Sequence, residues 1–352
     1  MSRIGNIVLA ISSGAGPALL AAALFGVSTP LAKLLLRNVD PWMLAGVLDL
    51  GSGLGLAALR IVEASTGLGL GRPRARGPEW LWLGPAIVSG GIVAPVLLMT
   101  GLASTSASTA ALLLNLEAVF TALLAWFAFR EHFDRRIAGG MATIVAGGVV
   151  LAAGGDQMAR GWSGPASIAA ACLAWALDTN LTRKVAATDP VSIAMLKGGV
   201  AGATNIALAR WLGSPWPAPW TLAAAGLVGF IGYGVSLVLF VVALRGIGVS
   251  RAAAYFSLAP FFGGALAVLI LRDPVTMPLV AAGALMALGV WLHLTERHEH
   301  EHEHLDPLRG RGQAGEEEER TEGRDARGRR RGPAPLRHRH PHYPDPDHRH
   351  GH

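Results

Sequence analysis

Ten stretches of this chain are apolar over the length of a membrane-crossing helix: residues 17–36, 42–61, 80–101, 106–128, 136–154, 164–183, 190–210, 219–243, 249–271 and 276–294. A helix needs about 20 mostly apolar residues to cross the hydrocarbon core. Only helices and closed barrels satisfy their backbone polar groups there, and these runs lack the alternation of barrel strands. The expected fold is therefore an all-α membrane protein of ten transmembrane helices in a lipid bilayer. Charge agrees with this: 15% of residues are charged, against roughly 25% in a soluble domain. Residues 296–352 alone hold 12 of the 30 Lys and Arg and 13 of the 24 Asp and Glu. Gly and Ala dominate many spans, and small residues let helices approach closely in lipid. Arg3 and the apolar run Pro17–Ala32 have the outline of a cleaved leader. That run contains Pro30 and matches a later segment, so it is read as the first span.

Loop charge sets the expected orientation. With the N-terminus cytoplasmic, the inner segments hold Arg3, Arg60, Arg72, Arg74, Arg76, Arg130, Arg135, Arg136, Arg183, Lys184, Arg245 and Arg251; the outer ones hold Lys33, Arg37, Arg160, Arg210 and Arg272. Twelve against five places both termini in the cytoplasm. These loop cations serve anchoring and topology, so the basic balance does not call for nucleic acid. The single cysteine, Cys172, excludes an intrachain disulfide.

The halves resemble each other. "NLEAVFTALLAWFAFRE" (115–131) aligns with "SLAPFFGGALAVLILRD" (257–273) at an offset of 142, and "LFGVSTPLAK" (24–33) with "AWALDTNLTR" (174–183) at an offset of 150. Asp40-Pro41 and Asp189-Pro190 each precede the second helix of a half. Five helices per half is an odd number, so the halves are expected to be inverted in the membrane. Inverted repeats mark secondary transporters, with the site near the midplane between them. The expected domains are residues 1–155, 156–295 and a tail, 296–352.

Charges inside spans are costly and usually functional, paired or snorkelling. Lys33, Asp49, Glu117, Asp178 and Lys197 qualify. Depth allows two opposite-charge pairs, Lys33–Asp49 and Asp178–Lys197, which serve a substrate or only lock helices together. Lys33 is also placed to snorkel to the interface. Glu117 sits at mid-span with no cation at its depth in the sequence. A carboxyl there is the first candidate for proton coupling or substrate contact; the alternative is a glutamic acid bonded to a neighbouring helix. Trp175 shares a helical face with Asp178, and Thr204 with Lys197. Asn115, Thr179, Asn180 and Asn205 are further polar residues within spans.

"LNLEAVFTALLAWFAFREHF" (114–133) with "GGMATIVAGGVVL" (139–151) resembles the end of an EamA domain of the drug/metabolite transporter superfamily, and "SLAPFFGGALAVLILRD" with "AAGALMALGV" resembles a weaker second copy. The resemblance covers roughly residues 15–295. It implies a ten-helix inner-membrane carrier with both termini cytoplasmic, often an exporter, with a small-molecule or ion substrate. The family often has Leu-Glu-Pro-Val where this chain has Leu116-Glu117-Ala118-Val119, and the second copy has Ala259 in place of the acid. Glu117 alone is carried over from the resemblance. Asp49, Asp178 and Lys197 are not general family positions.

From Glu296 on the composition turns to Glu, Arg, Gly, Pro and His, as in disordered segments. Ten of the 12 histidines lie here: His298, His300, His302, His304, His338, His340, His342, His348, His350 and His352. Imidazole is a common ligand for Zn, Ni, Co and Cu. The tail is expected to hold a divalent transition metal loosely, and no cofactor is required for transport. Three readings stand: a proton-linked exporter of a small solute working by alternating access, a divalent-metal efflux or homeostasis protein that uses the tail, and a membrane-anchored metal buffer. No nucleophile–base constellation lies in the spans, so an enzyme is not expected. A second copy of the chain, giving a homodimer, is a further candidate partner.

Overall fold

The computed structural model describes residues 15–66, 80–129, 135–154, 161–182, 189–294, 299–304 and 336–341. Residues 1–295 form one compact unit and 296–352 another. The first unit is a bundle of helical rods. Its first and second rods are α1 (Gly16–Leu35) and α2 (Pro41–Thr66). The third rod is composite: α3 (Trp80–Ala86), a π-helical segment π1 (Ile87–Val93) and α4 (Ala94–Ser104). The fourth joins α5 (Ala107–Leu113) to α6 (Leu116–Phe129), and the fifth is α7 (Arg135–Ala153).

The second half repeats this order. α8 (Ser163–Thr182) and α9 (Pro190–Trp211) come first. A composite rod follows: α10 (Pro219–Gly229), π2 (Phe230–Val235) and α11 (Ser236–Ile247). Then α12 (Val249–Phe256) joins α13 (Ala259–Leu271), and α14 (Met277–Leu294) closes the unit. Among the described residues, eight rods are long and apolar enough to cross a membrane. α8 and α14 are the two not counted. α8 carries Asp178, Thr179, Asn180 and Thr182 near its end, and the apolar part of α14 is only Met277–Leu292.

The two Asp-Pro pairs are helix starts. Asp40 Oδ1 accepts from the backbone N–H of Trp42 at 3.0 Å, and Asp189 Oδ2 from that of Ser192 at 3.0 Å. The aspartate satisfies donors left free in a first turn, and the following proline occupies the position where its missing N–H costs nothing. Pro95 and Pro260 also lie in first turns, those of α4 and α13. They start new helical segments inside the expected spans 80–101 and 249–271, as a proline that interrupts a helix does.

α2 and α9 run antiparallel and cross at glycines. A Cβ on Gly46 would lie 2.7 Å from Ile206 N, one on Gly202 2.4 Å from Leu50 N, and one on Gly53 2.5 Å from Gly199 N. α7 and α14 pack the same way, with Gly289 against the Gly140 carbonyl and Gly147 against Met286. At Gly46, Gly53, Gly202 and Gly289 the nearest atom is a backbone atom of the other helix, so dispersion between main chains replaces the hydrophobic drive that lipid cannot supply.

In the second unit, two six-residue segments depart from the expected absence of regular structure. β1 (Glu299–His304) and β2 (Leu336–Pro341) pair antiparallel, with His300 opposite His340, Glu301 opposite Arg339, His302 opposite His338 and Glu303 opposite Arg337. His298, His342, His348, His350 and His352 lie outside the described residues.

Candidate functional site

The expected inner pair forms. Lys197 Nζ, on α9, donates to Asp178 Oδ1 on α8 at 2.5 Å and also to Oδ2. Thr182 Oγ1 adds a donor to Oδ1 at 2.9 Å. The pair lies against π1: a Cβ on Gly90 would fall within 2.1 Å of Asp178 Oδ2, so only glycine fits there. The π turn leaves carbonyls outside the regular ladder, and neighbouring side chains take them up. Trp175 Nε1 donates to Gly90 O at 3.0 Å. Asn205 Nδ2 donates to Gly91 O and Ile92 O, both at 3.3 Å.

Glu117 belongs to the same centre. It lies in the first turn of α6, immediately after the fourth rod breaks at Leu114-Asn115. At the break the backbone bonds tighten to three-residue spacing, as in Asn115 N to Leu112 O at 3.1 Å. Cys172 Sγ sits 3.6 Å from Leu113 O, one of the carbonyls freed there. The start of a half-helix favours an anionic group. The sequence offers Glu117 no cation at its depth, but the fold does: Lys197 and Asp178 are the charged groups that act on it. Among the described residues, no hydrogen-bond partner takes its carboxylate.

Asp49 is the third carboxyl. Its Oδ2 is buried with no hydrogen-bond partner. Its cation is again Lys197, brought alongside by the α2–α9 crossing: a Cβ on Gly198 would lie 2.7 Å from the Asp49 carbonyl oxygen. Lys197 is ion-paired with Asp178, and its charge reaches Asp49 and Glu117 as well. Lys33 gives two of its donors to the C-terminal end of α4, at 2.5 Å to Leu102 O and 3.0 Å to Ala103 O, as cations do at helix ends. Asn180 Nδ2 binds Ala176 O at 2.8 Å and Thr121 O at 3.4 Å, tying α8 to α6.

Thr204 turns its hydroxyl to its own helix, 2.8 Å from Val200 O, a habit of threonine in helices. Its fully buried neighbour Asn205 is the residue of that stretch which reaches π1. The seven-residue helical spacing from Lys197 singled out Thr204, and the π carbonyls that draw in Asn205 are not visible at that level. Among the described residues, no three His, Cys, Asp or Glu side chains gather to hold a metal ion.

The profile of the EamA-like transporter family matches residues 12–153 and again 162–295. The chain belongs to this family. It is a membrane transporter of the drug/metabolite transporter type. An uncharacterized transporter of Methanothermobacter thermautotrophicus is 29% identical over 281 residues, covering 76% of this chain and 82% of that protein. A solved crystal structure shares the fold, with a TM-score of 0.57 and 20% identity over 80% of this chain and 97% of its own.

In this EamA-family chain the two π segments were missed by sequence reading, although each carries a pair of glycines, Gly90-Gly91 and Gly232 with Gly234. Their starts are separated by 143 residues, close to the offset between the halves. A second unforeseen contact joins the ends of α2 and α9: Arg60 donates to Asp189, the cap of α9, and lies 3.4 Å from Ser192 Oγ. The positions matching them at the other end of the crossing are Arg210 and Asp40, and Arg210 there binds the Ser214 carbonyl and stacks on Trp216.

Proposed function

We propose that the chain is a secondary carrier that exports a small zwitterionic or amine-bearing solute by alternating access between two inverted five-helix halves. The observation that carries this reading is the largely buried ion pair of Lys197 with Asp178, the Lys197 charge also reaching the carboxyl groups of Glu117 and Asp49. A buried carboxylate beyond that pair stays stable only if positive charge comes to it, as protons or as a solute's ammonium. Lys197 remains available to a solute carboxylate when Asp178 is neutralised or satisfied by the incoming amine. The site lies where broken rods and π segments converge, which is where carriers of inverted-repeat build place their sites. Packing of α2 on α9 and of α7 on α14, each a pair of equivalent rods, supports the inverted arrangement. The reading takes all ten rods as spans, both termini as cytoplasmic and the inner membrane as the location.

The proton enters through Glu117. Its place at the head of a half-helix lets water reach it from one side at a time as α5 and α6 move against each other. Proteoliposomes loaded with radiolabelled amino acids and given a pH gradient test this. Wild-type protein drives gradient-dependent flux of at least one zwitterion. Glu117→Gln abolishes the pH dependence while leaving solute exchange. Wild-type pH-driven flux in Glu117→Gln would end the proton assignment, and loss of neither function in Lys197→Met would end the site assignment.

A further inference from the structure

The crossing of α2 and α9 has a two-fold likeness that runs out at its ends. Near its middle, a Cβ on Gly53 would lie 2.5 Å from Gly199 N, and one on Gly202 would meet Leu50 N. Gly202 follows Gly53 by 149 residues, and Gly199 follows Leu50 by 149, so this is one contact repeated. Asp189 follows Asp40 by the same 149. Each aspartate stands ten residues before the crossing, Asp40 before Leu50 and Asp189 before Gly199. An arginine stands beyond it on each helix, Arg60 seven residues after Gly53 and Arg210 eight after Gly202. Because the helices run antiparallel, each end of the crossing receives one aspartate and one arginine.

The two ends are nonetheless in different states. At one, Arg60 donates to Asp189 Oδ2, and Ser192 Oγ donates to the same oxygen at 2.8 Å. The side chains of this pair are only 15% and 6% exposed. At the other, Asp40 Oδ1 accepts from the backbone N–H groups of Trp42 and Met43, at 3.0 and 3.4 Å. Arg210 is exposed there, bonds the Ser214 carbonyl and lies 5.4 Å from the Trp216 ring. Its one-residue shift turns it about 100° round α9 from the place that Arg60 holds on α2. Among the described residues, no ion pair joins Asp40 to Arg210.

We propose that Arg60–Asp189 and Arg210–Asp40 are alternating latches on the two approaches to the Lys197–Asp178 pair, one closed while the other is open. Lys197 lies on α9 between them, eight residues after Asp189 and 13 before Arg210. Rocking of α2 on α9 therefore opens the way to it from one end or the other. The crossing suits a pivot, since main chain meets main chain there and no side chain has to repack. The closed latch is built to release. Asp189 Oδ1 is buried without a hydrogen-bond partner, and opening returns it to water, which offsets part of the lost ion pair. The start of α9 survives the opening, because the Ser192 N–H keeps its bond to Asp189 Oδ2. In the other state Arg210 exchanges the Ser214 carbonyl and the Trp216 ring for the Asp40 carboxylate. The latches take their purpose from the carrier reading, but they are measured as distances in the absence of solute.

Double electron–electron resonance on the full chain in nanodiscs reads both ends. Spin labels on Ile61 and Leu196 report on one, and labels on Asn38 and Leu212 on the other; all four positions are exposed, and the native Cys172 is buried. Asp189→Asn is the cleanest variant, since asparagine caps a helix about as well as aspartate and only the charge is lost. It raises the population with the Asp189 end apart by roughly tenfold, an ordinary coupling between two states, and brings the labels at the Asp40 end closer in the same population. Arg60→Ala does the same, and Arg60→Lys restores most of the closed form. Adding Arg210→Ala to Asp189→Asn removes the closing at the Asp40 end. Wild-type distances at both ends in Asp189→Asn would overturn the proposal. So would an Asp189 end that opens while the Asp40 end stays as in wild type, because the pair would then be a static clamp. Exchange of the two distances without flux of any solute would uphold the latches and end the carrier reading instead.

Discussion

Replacing Gly202 by alanine should separate α2 from α9. The new Cβ would lie 2.4 Å from Leu50 N, 2.7 Å from Leu50 Cα and 2.8 Å from Gly46 O. All three are backbone atoms, so no rotamer change relieves the overlap. Carbon contacts become favourable only at about 3.5–4.0 Å, so the helices must part by roughly 1 Å at the crossing. Overpacking of this kind costs about 1–3 kcal/mol, and alanine returns up to ~1 kcal/mol through helix propensity. The expected net loss is about 1–2 kcal/mol, taking the middle of both ranges. Gly199→Ala is the control, three residues away on the same helix, where a Cβ meets nothing within 4 Å. It should be neutral or slightly stabilising. Equilibrium unfolding of both variants in nanodiscs gives the comparison. If Gly202→Ala is as stable as Gly199→Ala, the close main-chain crossing is not what holds these two rods together.

Asp178→Asn alone should destabilise the bundle by about 3–5 kcal/mol, because it removes the ion-pair partner of a largely buried ammonium, whereas Asp178→Asn with Lys197→Met should recover most of that loss; unfolding of the single and double variants checks the difference. Arg60→Ala removes a bond between the end of α2 and the cap of α9. It should raise thiol labelling of a cysteine placed at Ser192, and unchanged labelling would show that the contact does not close that end. Removal of residues 297–352 should abolish zinc or nickel binding by isothermal titration, with solute flux unchanged. A fall in metal efflux on truncation would instead favour transport of the metal itself.

Much of the bundle was legible in the sequence because lipid imposes a simple demand. Each span must satisfy its own backbone, so length and apolarity reveal the rods almost one by one. The Asp-Pro pairs were legible for a similar reason, since capping is local and needs only the aspartate and the N–H groups two and three residues on. Asp178–Lys197 could be anticipated because buried charges need partners and few were on offer. The sequence offered Lys33 as the partner of Asp49, whereas Lys33 bonds the Leu102 and Ala103 carbonyls and the cation whose charge reaches Asp49 is Lys197. Lys197 comes from α9, and only the α2–α9 crossing brings the two together. Thr204 and Asn205 show the limit at the scale of one residue. Helical periodicity ranks both as polar and inward, but the carbonyls that select Asn205 are free only because the third rod adopts a π segment.

The sequence by itself determined that the chain is a helical membrane protein with a duplicated body and a histidine-rich tail, and its resemblance to EamA domains implied a transporter. Hydropathy, loop composition and local capping depend on residues near each other in the chain. Only the tertiary structure decided which further carboxyl groups the charge of Lys197 reaches. That depends on helices crossing at glycine, where the absence of a side chain lets groups distant in sequence come within electrostatic reach. The same close packing brought Glu117 within reach of the charges of Asp178 and Lys197, and left Asp49 Oδ2 buried without a hydrogen bond.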